Sequence, residues 1–197
     1  LEIRVPELIA YQSYGYAREY AAFVARVRAA EQAAVPGETR LSEAVARYLF
    51  KLMAYKDEYE VARLSLTAGV DAAIAAQFGP VRRKRYMLHP PILRAMGWRK
   101  KIALGPWFDG AFRLLMALRW LRGTPLDPFG RDEVRRVERA LIGEYRALIE
   151  GALATLTPAS HGRAVRLAEL PDLIRGYEGI KLANVARFRA AVAELQA

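Results

Sequence analysis

A run of apolar residues at three- and four-residue spacing is the feature that most constrains the fold of this chain. The run comprises Leu41, Ala44, Val45, Tyr48, Leu49, Leu52 and Met53. This spacing places their side chains on one face of an α-helix, and that face must be buried against other elements. Because similar periodicity recurs along the chain, we expect a mainly α-helical bundle of about six or seven helices. The sequence favours one domain over residues 1–197.

Six further stretches carry the same kind of helical pattern, and the last three run from about Asp132 to Ala152, from Pro158 to Leu170 and from about Tyr177 to Leu195. One helix is predicted from Pro6 to Val35, where Val35-Pro36-Gly37 ends it. Another is predicted from about Lys56 to Phe78, with an interruption at Gly69. The stretch from Trp107 to Leu121 is apolar over more than half of its circumference, so we expect it at the centre of the bundle.

Glycine and proline change this pattern between residues 79 and 105. The segment Val81–Leu88 is predicted to be extended, and Trp98–Leu104 is its predicted antiparallel partner. The connection contains His89-Pro90-Pro91, where two prolines exclude a regular helix. We therefore expect a short β-hairpin inserted into the helical bundle.

The composition excludes several kinds of catalytic site. The 197-residue sequence contains no cysteine, which excludes disulfides, thiolate zinc sites, cysteine-held iron–sulfur clusters and cysteine nucleophiles. The histidines His89 and His161 have no metal-ligand spacing, and we expect structural roles for both. Ser160 precedes His161 on a predicted helix that Thr157 caps, and neighbours on a helix point apart. No glycine-rich phosphate loop is found.

The net charge of +10 indicates an acidic or phosphate-bearing partner. The candidate anion- or partner-binding residues are Arg82, Arg83, Lys84, Arg85, Arg99, Lys100 and Lys101. The predicted hairpin brings these two basic runs together, with Tyr86 and Trp98 nearby. Such a patch can clamp phosphates and stack bases. Alternatively, the charges keep a solvent-facing sheet edge from aggregating.

Asp57 and Glu60 form the other charged feature, because a spacing of three places both carboxylates on one helix face. Such a pair can bind a cation or act as general acid and base. Alternatively, the carboxylates pair with Lys56, with Arg63 or with a basic residue elsewhere. Both interpretations remain open at this point, and the structural one is favoured.

Several strings resemble one known family, the indolepyruvate ferredoxin oxidoreductases. The similar strings, in chain order, are Phe50–Leu64 (FKLMAYKDEYEVARL), Gly105-Pro106-Trp107, Leu121–Gly130 (LRGTPLDPFG), Val137–Ile142 (VERALI), and Leu170-Pro171 followed by Ile174–Tyr177 and Lys181. The candidate motif positions within them are Lys56, Asp57, Glu58, Tyr59 and Asp127. The resemblance covers most of the chain.

The resemblance implies a non-catalytic C-terminal accessory domain, excised from a larger enzyme. Such an enzyme oxidatively decarboxylates aryl 2-oxo acids to acyl-CoA and reduces ferredoxin, using thiamine diphosphate, magnesium and iron–sulfur clusters. No cofactor is expected in this chain itself, and the resemblance carries no catalytic residue onto it. Its expected role is structural or regulatory, with the other domains of the parent enzyme, and a homodimer, as partners.

Two alternatives keep the basic residues at the centre of the function. In the first, the chain is a docking module for acidic ferredoxin or for the phosphates of CoA. In the second, it is a stand-alone nucleic-acid-binding protein, although it contains no recognised nucleic-acid motif. No apolar stretch approaches the roughly 20 residues needed to span a bilayer, and the start of the chain is no signal peptide, so we expect a cytoplasmic location.

Overall fold

The computed structural model describes residues 1–67, 69–79, 85–88, 100 and 102–196. The elements in this part of the chain are α1 Arg4–Tyr11, α2 Tyr14–Ala34, α3 Arg40–Met53, α4 Glu58–Ser65, α5 Val70–Phe78, β1 Tyr86–Leu88, β2 Ile102–Leu104, α6 Asp109–Ala117, α7 Glu133–Ala154, α8 Pro158–Glu169 and α9 Glu178–Gln196. Short 3-10 turns occur at Pro106–Phe108, Leu118–Leu121 and Leu170–Leu173. The prediction of a mainly helical fold is confirmed, with more and shorter helices than expected. No helix within the described ranges is long and apolar enough to cross a membrane.

The chain divides into two compact units. The terminal unit combines Leu1–Tyr55 with Glu133–Ala197, and the central unit is Lys56–Asp132. The terminal unit contains α1–α3 and α7–α9, whereas the central unit contains α4–α6 and the two strands.

Helix α3 is the centre of the terminal unit. Every residue of its apolar run is buried, as the periodicity predicts, and Leu41, Val45, Leu49 and Met53 are fully inaccessible to solvent. The helix packs against α2, α7 and α8, so its apolar face is covered on several sides. Full burial of each leucine-sized side chain stabilises the fold by roughly 1.5–3 kcal/mol.

The first predicted helix is two helices. Helix α1 ends at Tyr11, and α2 begins at Tyr14 after the N-cap residue Ser13. The Ser13 hydroxyl accepts a hydrogen bond from the backbone N–H of Tyr16 at 3.2 Å, which satisfies a donor at the start of α2. The predicted end is confirmed, because α2 stops at Ala34, directly before Val35-Pro36-Gly37.

Tyrosines from α1 and α2 hold α3 through its backbone. Their hydroxyls donate from Tyr11 to the carbonyl of Tyr55, from Tyr16 to that of Met53, and from Tyr20 to that of Ala46, at 3.0, 3.0 and 2.7 Å. The last carbonyls of a helix have no partner within the helix. The hydroxyls of Tyr11 and Tyr16 therefore satisfy acceptors at and just beyond the end of α3.

Helices α7, α8 and α9 complete the terminal unit. Glu138 on α7 is buried and pairs with Lys181 on α9, and it accepts a second bond from Arg135 at 2.6 Å. The Tyr145 hydroxyl on α7 donates to the carbonyl of Ala168 on α8 at 2.8 Å. The predicted cap of α8 is confirmed, since the Thr157 hydroxyl accepts from the backbone N–H of Ser160.

In the central unit, both the helix interruption and the hairpin are observed. Gly69 separates α4 from α5 with a φ of 90°, a left-handed conformation that glycine adopts without strain. Strands β1 and β2 pair antiparallel, with Tyr86 opposite Leu104 and Leu88 opposite Ile102. Tyr86 anchors the hairpin: its hydroxyl donates to Asp109 at 2.7 Å, and its ring meets Phe112 edge-on.

The prediction of a central helix from Trp107 to Leu121 is wrong. The helix covers only Asp109–Ala117, and Phe112 is its only buried residue. Trp107, Leu114 and Trp120 are 74%, 61% and 60% exposed. A helix that is apolar on most sides is buried only if neighbours surround it. In this stretch only the Phe112 side is fully covered.

Candidate functional site

The motif positions Asp57, Tyr59 and Asp127 lie in one buried polar cluster of the central unit. Asp57 caps α4 by accepting a hydrogen bond from the backbone N–H of Glu60 at 2.9 Å. It also pairs with Arg122, whose Nε lies 2.5 Å from Oδ2 and whose Nη2 lies 2.9 Å from Oδ1. The two side chains are only 3% and 5% exposed. This paired, bidentate geometry is what allows two charges to be buried together.

Asp127 organises the loop that follows Arg122. Its Oδ2 accepts from the backbone N–H of Gly123 at 3.0 Å, and its Oδ1 accepts from that of Phe129 at 3.1 Å. A side chain at Gly130 would place its Cβ 3.1 Å from the same carboxylate, so the loop closes tightly there. Aspartate commonly stabilises turns by bonding to nearby backbone in this way.

Tyr59 joins the two halves of the cluster. Its hydroxyl donates to Asp127 Oδ1 at 3.2 Å. The Arg122 guanidinium lies over its ring, 5.4 Å from the centroid, and the ring forms a T-shaped pair with Phe129, with centroids 5.3 Å apart. Burial raises the pKa of Tyr59 far above its usual value, and the negative charge of Asp127 raises it further. The phenol therefore stays protonated and acts as a hydrogen-bond donor.

The remaining charged residues of this stretch serve the scaffold or face solvent. Glu60 is buried and accepts two bonds from Arg63, both at 2.8 Å. Lys56 is exposed, and Glu58 is partly buried at the start of α4. The carboxylates Asp57 and Glu60 thus pair with Arg122 and Arg63, as the structural alternative predicts. The acid–base and cation alternatives gain no support from this geometry.

The basic residues around the hairpin are described only at Arg85 and Lys100, both of which are exposed. Arg82, Arg83, Lys84, Arg99 and Lys101 lie outside the described residues. Arg85 directly precedes β1 and Lys100 closely precedes β2, and the starts of antiparallel strands lie at opposite ends of their ladder. The pairing therefore places these two residues at opposite ends of the ladder, and the single patch that the sequence predicts stays untested. Anion or partner binding by the basic residues stays a prediction.

His161 has the structural role that the sequence predicts. Its Nε2 lies 2.8 Å from Glu31 Oε1, and both side chains are buried in the terminal unit. The carboxylate of Glu31 also accepts from the backbone N–H groups of Leu41 and Ser42 at 2.8 and 2.9 Å. Glu31 therefore caps the start of α3 from a neighbouring helix, a role that Thr39 does not fill.

The hydrogen bonds to Glu31 determine its protonation. Burial by itself raises the pKa of the carboxyl, but bonds from His161, Ser42 and Leu41 lower it, and the net direction is downward. Ser160, beside His161 in the sequence, is occupied in the cap of α8, where its hydroxyl accepts from the Thr157 N–H at 2.9 Å. The two neighbours thus belong to separate contacts and form no nucleophile–base pair. His89 lies outside the described residues.

Sequence reasoning missed the partners of these buried carboxylates. Arg122 lies 65 residues from Asp57, and His161 lies 130 residues from Glu31, so no local spacing connects them. The available signal was indirect, since a buried carboxylate requires a cation or several donors. Among the residues that the structure describes, no group of three or more histidine, aspartate or glutamate side chains is arranged to hold a metal ion.

Comparison with known proteins gives one match. The model of a family described as "Family of unknown function (DUF6537)" matches residues 1–194. No curated protein and no solved structure matches the chain. The family match thus spans both units, including the cluster around Asp57 and Arg122.

Proposed function

Since the chain belongs to the DUF6537 family, whose function is unknown, we propose that it is a non-catalytic interface domain of an enzyme similar to the indolepyruvate ferredoxin oxidoreductases. The proposed parent enzyme is cytoplasmic, decarboxylates an aryl 2-oxo acid to acyl-CoA, and reduces ferredoxin. The other domains of that enzyme are the proposed partners. The observation that carries the proposal is a set of large apolar side chains exposed on the central unit.

In the described part of the central unit seven large apolar side chains are exposed, and the four most exposed carry the proposal. They are Trp107, Leu114, Trp120 and Leu126, which are 74%, 61%, 60% and 74% exposed. Single exposed apolar residues are common, but a concentration of large ones is typical of surfaces that another protein covers. Tryptophan in particular contributes strongly to binding at protein interfaces.

The interior of the central unit supports the same proposal. Its buried hydrophobic residues, within the described ranges, are Tyr59, Ala62 and Phe112. The main hydrophobic cluster lies in the terminal unit. Covering the exposed apolar side chains of this unit with a partner removes them from water and so stabilises the complex.

The motif positions support a scaffold role as well. Asp57, Tyr59 and Asp127 bond to Arg122, to the start of α4 and to the loop from Gly123 to Phe129. These contacts fix the backbone that carries Leu126 and precedes α7. Because the chain has no cysteine, the iron–sulfur clusters of the proposed parent need ligands from its other domains.

The test compares the 197-residue chain with the complete protein that its gene encodes. The complete protein is expected to bind thiamine diphosphate and to reduce ferredoxin when given indolepyruvate and CoA. The chain alone, supplied with the same reagents, is expected to consume no 2-oxo acid. Turnover by the chain alone would contradict a non-catalytic role. A complete protein without thiamine diphosphate or 2-oxo acid oxidation would contradict the assignment of the parent.

The interface is tested by Trp107→Ser together with Trp120→Ser in the complete protein. Both side chains are exposed, so the isolated chain is expected to keep its unfolding temperature. The complete enzyme is expected to lose assembly or at least tenfold in ferredoxin reduction. Tyr177→Ser, at a position 72% exposed on the terminal unit, is the matched control and should change neither property. Equal behaviour of the double variant and the control would refute an interface at these tryptophans.

A further inference from the structure

An open groove of about 990 Å³ lies on the terminal unit, lined by residues of α2, α3 and α8 and by the start of the chain. Its apolar lining includes Val24, Ala44, Ala46 and Val165. The arginines that line it are Arg4, Arg28, Arg40, Arg47 and Arg166. We call this feature the arginine groove.

Positive charge dominates the lining. Glu43 and Glu169 are the two acidic residues against five arginines, an excess of three positive charges. Glu43 accepts a hydrogen bond from the Thr39 hydroxyl at 2.8 Å and keeps its negative charge. Arg40 pairs outside the groove with Glu38 at 2.9 Å. The remaining excess of positive charge attracts an anion.

Three of the arginines make no salt bridge in the described part of the chain, although Arg47 still interacts electrostatically with Asp172. These three are Arg28, Arg47 and Arg166, and all are exposed. They lie on α2, α3 and α8 respectively, so each of three helices contributes one guanidinium group to the groove. Like charges gathered in this way repel one another, and a bound anion relieves that repulsion.

The residue type and the size of the groove indicate the ligand. Guanidinium groups bind phosphate through paired hydrogen bonds, which fixes orientation as well as supplying charge. Small-molecule sites have volumes of roughly 300–1,000 Å³, a range that includes this groove. Single-stranded nucleic acid instead favours exposed aromatic platforms. The aromatic residue in the lining is Tyr48, which is 9% exposed.

We propose that the arginine groove binds a small molecule that carries two or more linked phosphates. Arg28, Arg47 and Arg166 contact the phosphates, and the small apolar side chains between them leave room for the ligand. The ligand is either an inorganic polyphosphate or the polyphosphate group of a nucleotide. This inference does not depend on the proposed function.

The probes are sodium tripolyphosphate and ATP, titrated into the chain by calorimetry at constant ionic strength. Saturable binding at one ligand per chain is expected, together with a higher unfolding temperature. Triple charge reversal, Arg28→Glu with Arg47→Glu and Arg166→Glu, is expected to weaken binding at least tenfold. Equal affinity for the two probes assigns the site to phosphate alone, and tighter ATP binding assigns it to a nucleotide.

A second triple variant separates the groove from net charge. Arg18→Glu, Arg163→Glu and Arg187→Glu alter exposed arginines on α2, α8 and α9 that do not line the groove, with the same total change in charge. This control is expected to keep the dissociation constant for tripolyphosphate within about twofold of the unsubstituted chain. That corresponds to a change in binding free energy smaller than RT. Equal loss in both triple variants would mean non-specific attraction and would overturn the proposal.

Two other results would also overturn it. The first is an absence of saturable binding to either probe once ionic strength is matched with sodium chloride. The second is much tighter binding of a mixed-sequence oligonucleotide or of polyglutamate, lost in the groove variant alone. That result would assign the groove to a macromolecule instead of a small polyphosphate.

Discussion

The terminal and central units are stabilised in different ways. In the terminal unit, apolar side chains from α2, α3, α7, α8 and α9 form one hydrophobic cluster, and polar groups serve mainly helix ends and helix pairs. In the central unit, the most buried groups include the charged residues Asp57, Glu60, Arg122 and Asp127. Both units expose large apolar side chains, and in the central unit these include two tryptophans. One chain therefore combines a hydrophobic core of aliphatic and aromatic side chains with a unit that buries a charged pair.

The two units therefore differ both in the contacts that stabilise them and in the surface features that they expose. The terminal unit completes its own core, and its notable surface feature is a basic groove. The central unit uses its motif residues for internal support and exposes Trp107 and Trp120. Polar clusters specify a geometry but contribute less net stability than apolar burial, because desolvation offsets much of their attraction. The central unit is therefore expected to respond most strongly to loss of a single partner.

The largest effect is expected from Arg122→Met. Removing the cation leaves Asp57 buried without its partner, which costs about 3–5 kcal/mol. The loss is measured as the change in the free energy of opening, from hydrogen exchange of the amides of α4. Adding Asp57→Asn, which retains the helix cap, should recover part of the loss because no charge is then buried. Lys56→Met, at an exposed position, is the control, and an equal loss there would contradict the interpretation.

The next largest loss of stability is expected from Leu49→Ala in the terminal unit. Leu49 is fully buried at the centre of α3, so the substitution leaves a cavity and is expected to cost about 2–5 kcal/mol. Urea denaturation followed by far-UV circular dichroism measures it. Leu126→Ala removes the same atoms from a side chain that is 74% exposed and should cost less than about 0.5 kcal/mol. Similar losses at both positions would show that α3 is not the core.

Glu31→Gln is expected to cost about 1.5–3 kcal/mol at neutral pH, because the bonds from His161 and the α3 backbone lose their charged acceptor. The pKa of Glu31 is lower in the folded state than its ordinary value of 4.5. Its contribution is therefore present above pH 4.5 and is lost as the pH falls through the folded value. Urea midpoints between neutral pH and pH 3 should fall less steeply in the variant. Parallel pH profiles would refute this role.

The smallest effect is expected from Tyr59→Phe, which removes one hydrogen bond to Asp127 and should cost about 0.5–1.5 kcal/mol. The pKa of Tyr59 is raised in the folded state. Its contribution to folding stability is therefore fully present below the ordinary pKa of 10.0 and is lost as the pH rises above that value. Between pH 9 and 11 the free energy of unfolding should fall less in the Tyr59→Phe variant than in the unsubstituted chain. Tyr177→Phe, which removes an exposed hydroxyl, should leave that pH dependence unchanged.

Features with a local cause could be predicted from the sequence. The α3 stripe, the interruption at Gly69, the hairpin and the Thr157 cap each depend on spacing or on one residue type. The break between α1 and α2 was missed, although Ser13 is a favourable N-cap residue and supplied a local signal. Apolar periodicity on both sides of Ser13 concealed it.

Features that depend on distant pairing could not be predicted. The spacing of Asp57 and Glu60 could be recognised in the sequence, but only the fold brings Arg122 to Asp57. The helix at Trp107 was placed in the core because composition measures how apolar a segment is and not which neighbours cover it. The arginine groove was also missed, since Arg28, Arg47 and Arg166 are isolated along the chain and meet only through three helices.

The position of Glu31 also has a consequence for the order in which the terminal unit folds. Its bonds to Leu41 and Ser42 span 10 and 11 residues, so they close only a short loop between α2 and the start of α3. His161 follows 130 residues later on the ribosome. We expect an α2–α3 hairpin to form first, with the carboxylate open to water until α8 arrives. Pulse-labelling hydrogen exchange during refolding should then protect the amides of Leu41 and Ser42 before those of α8.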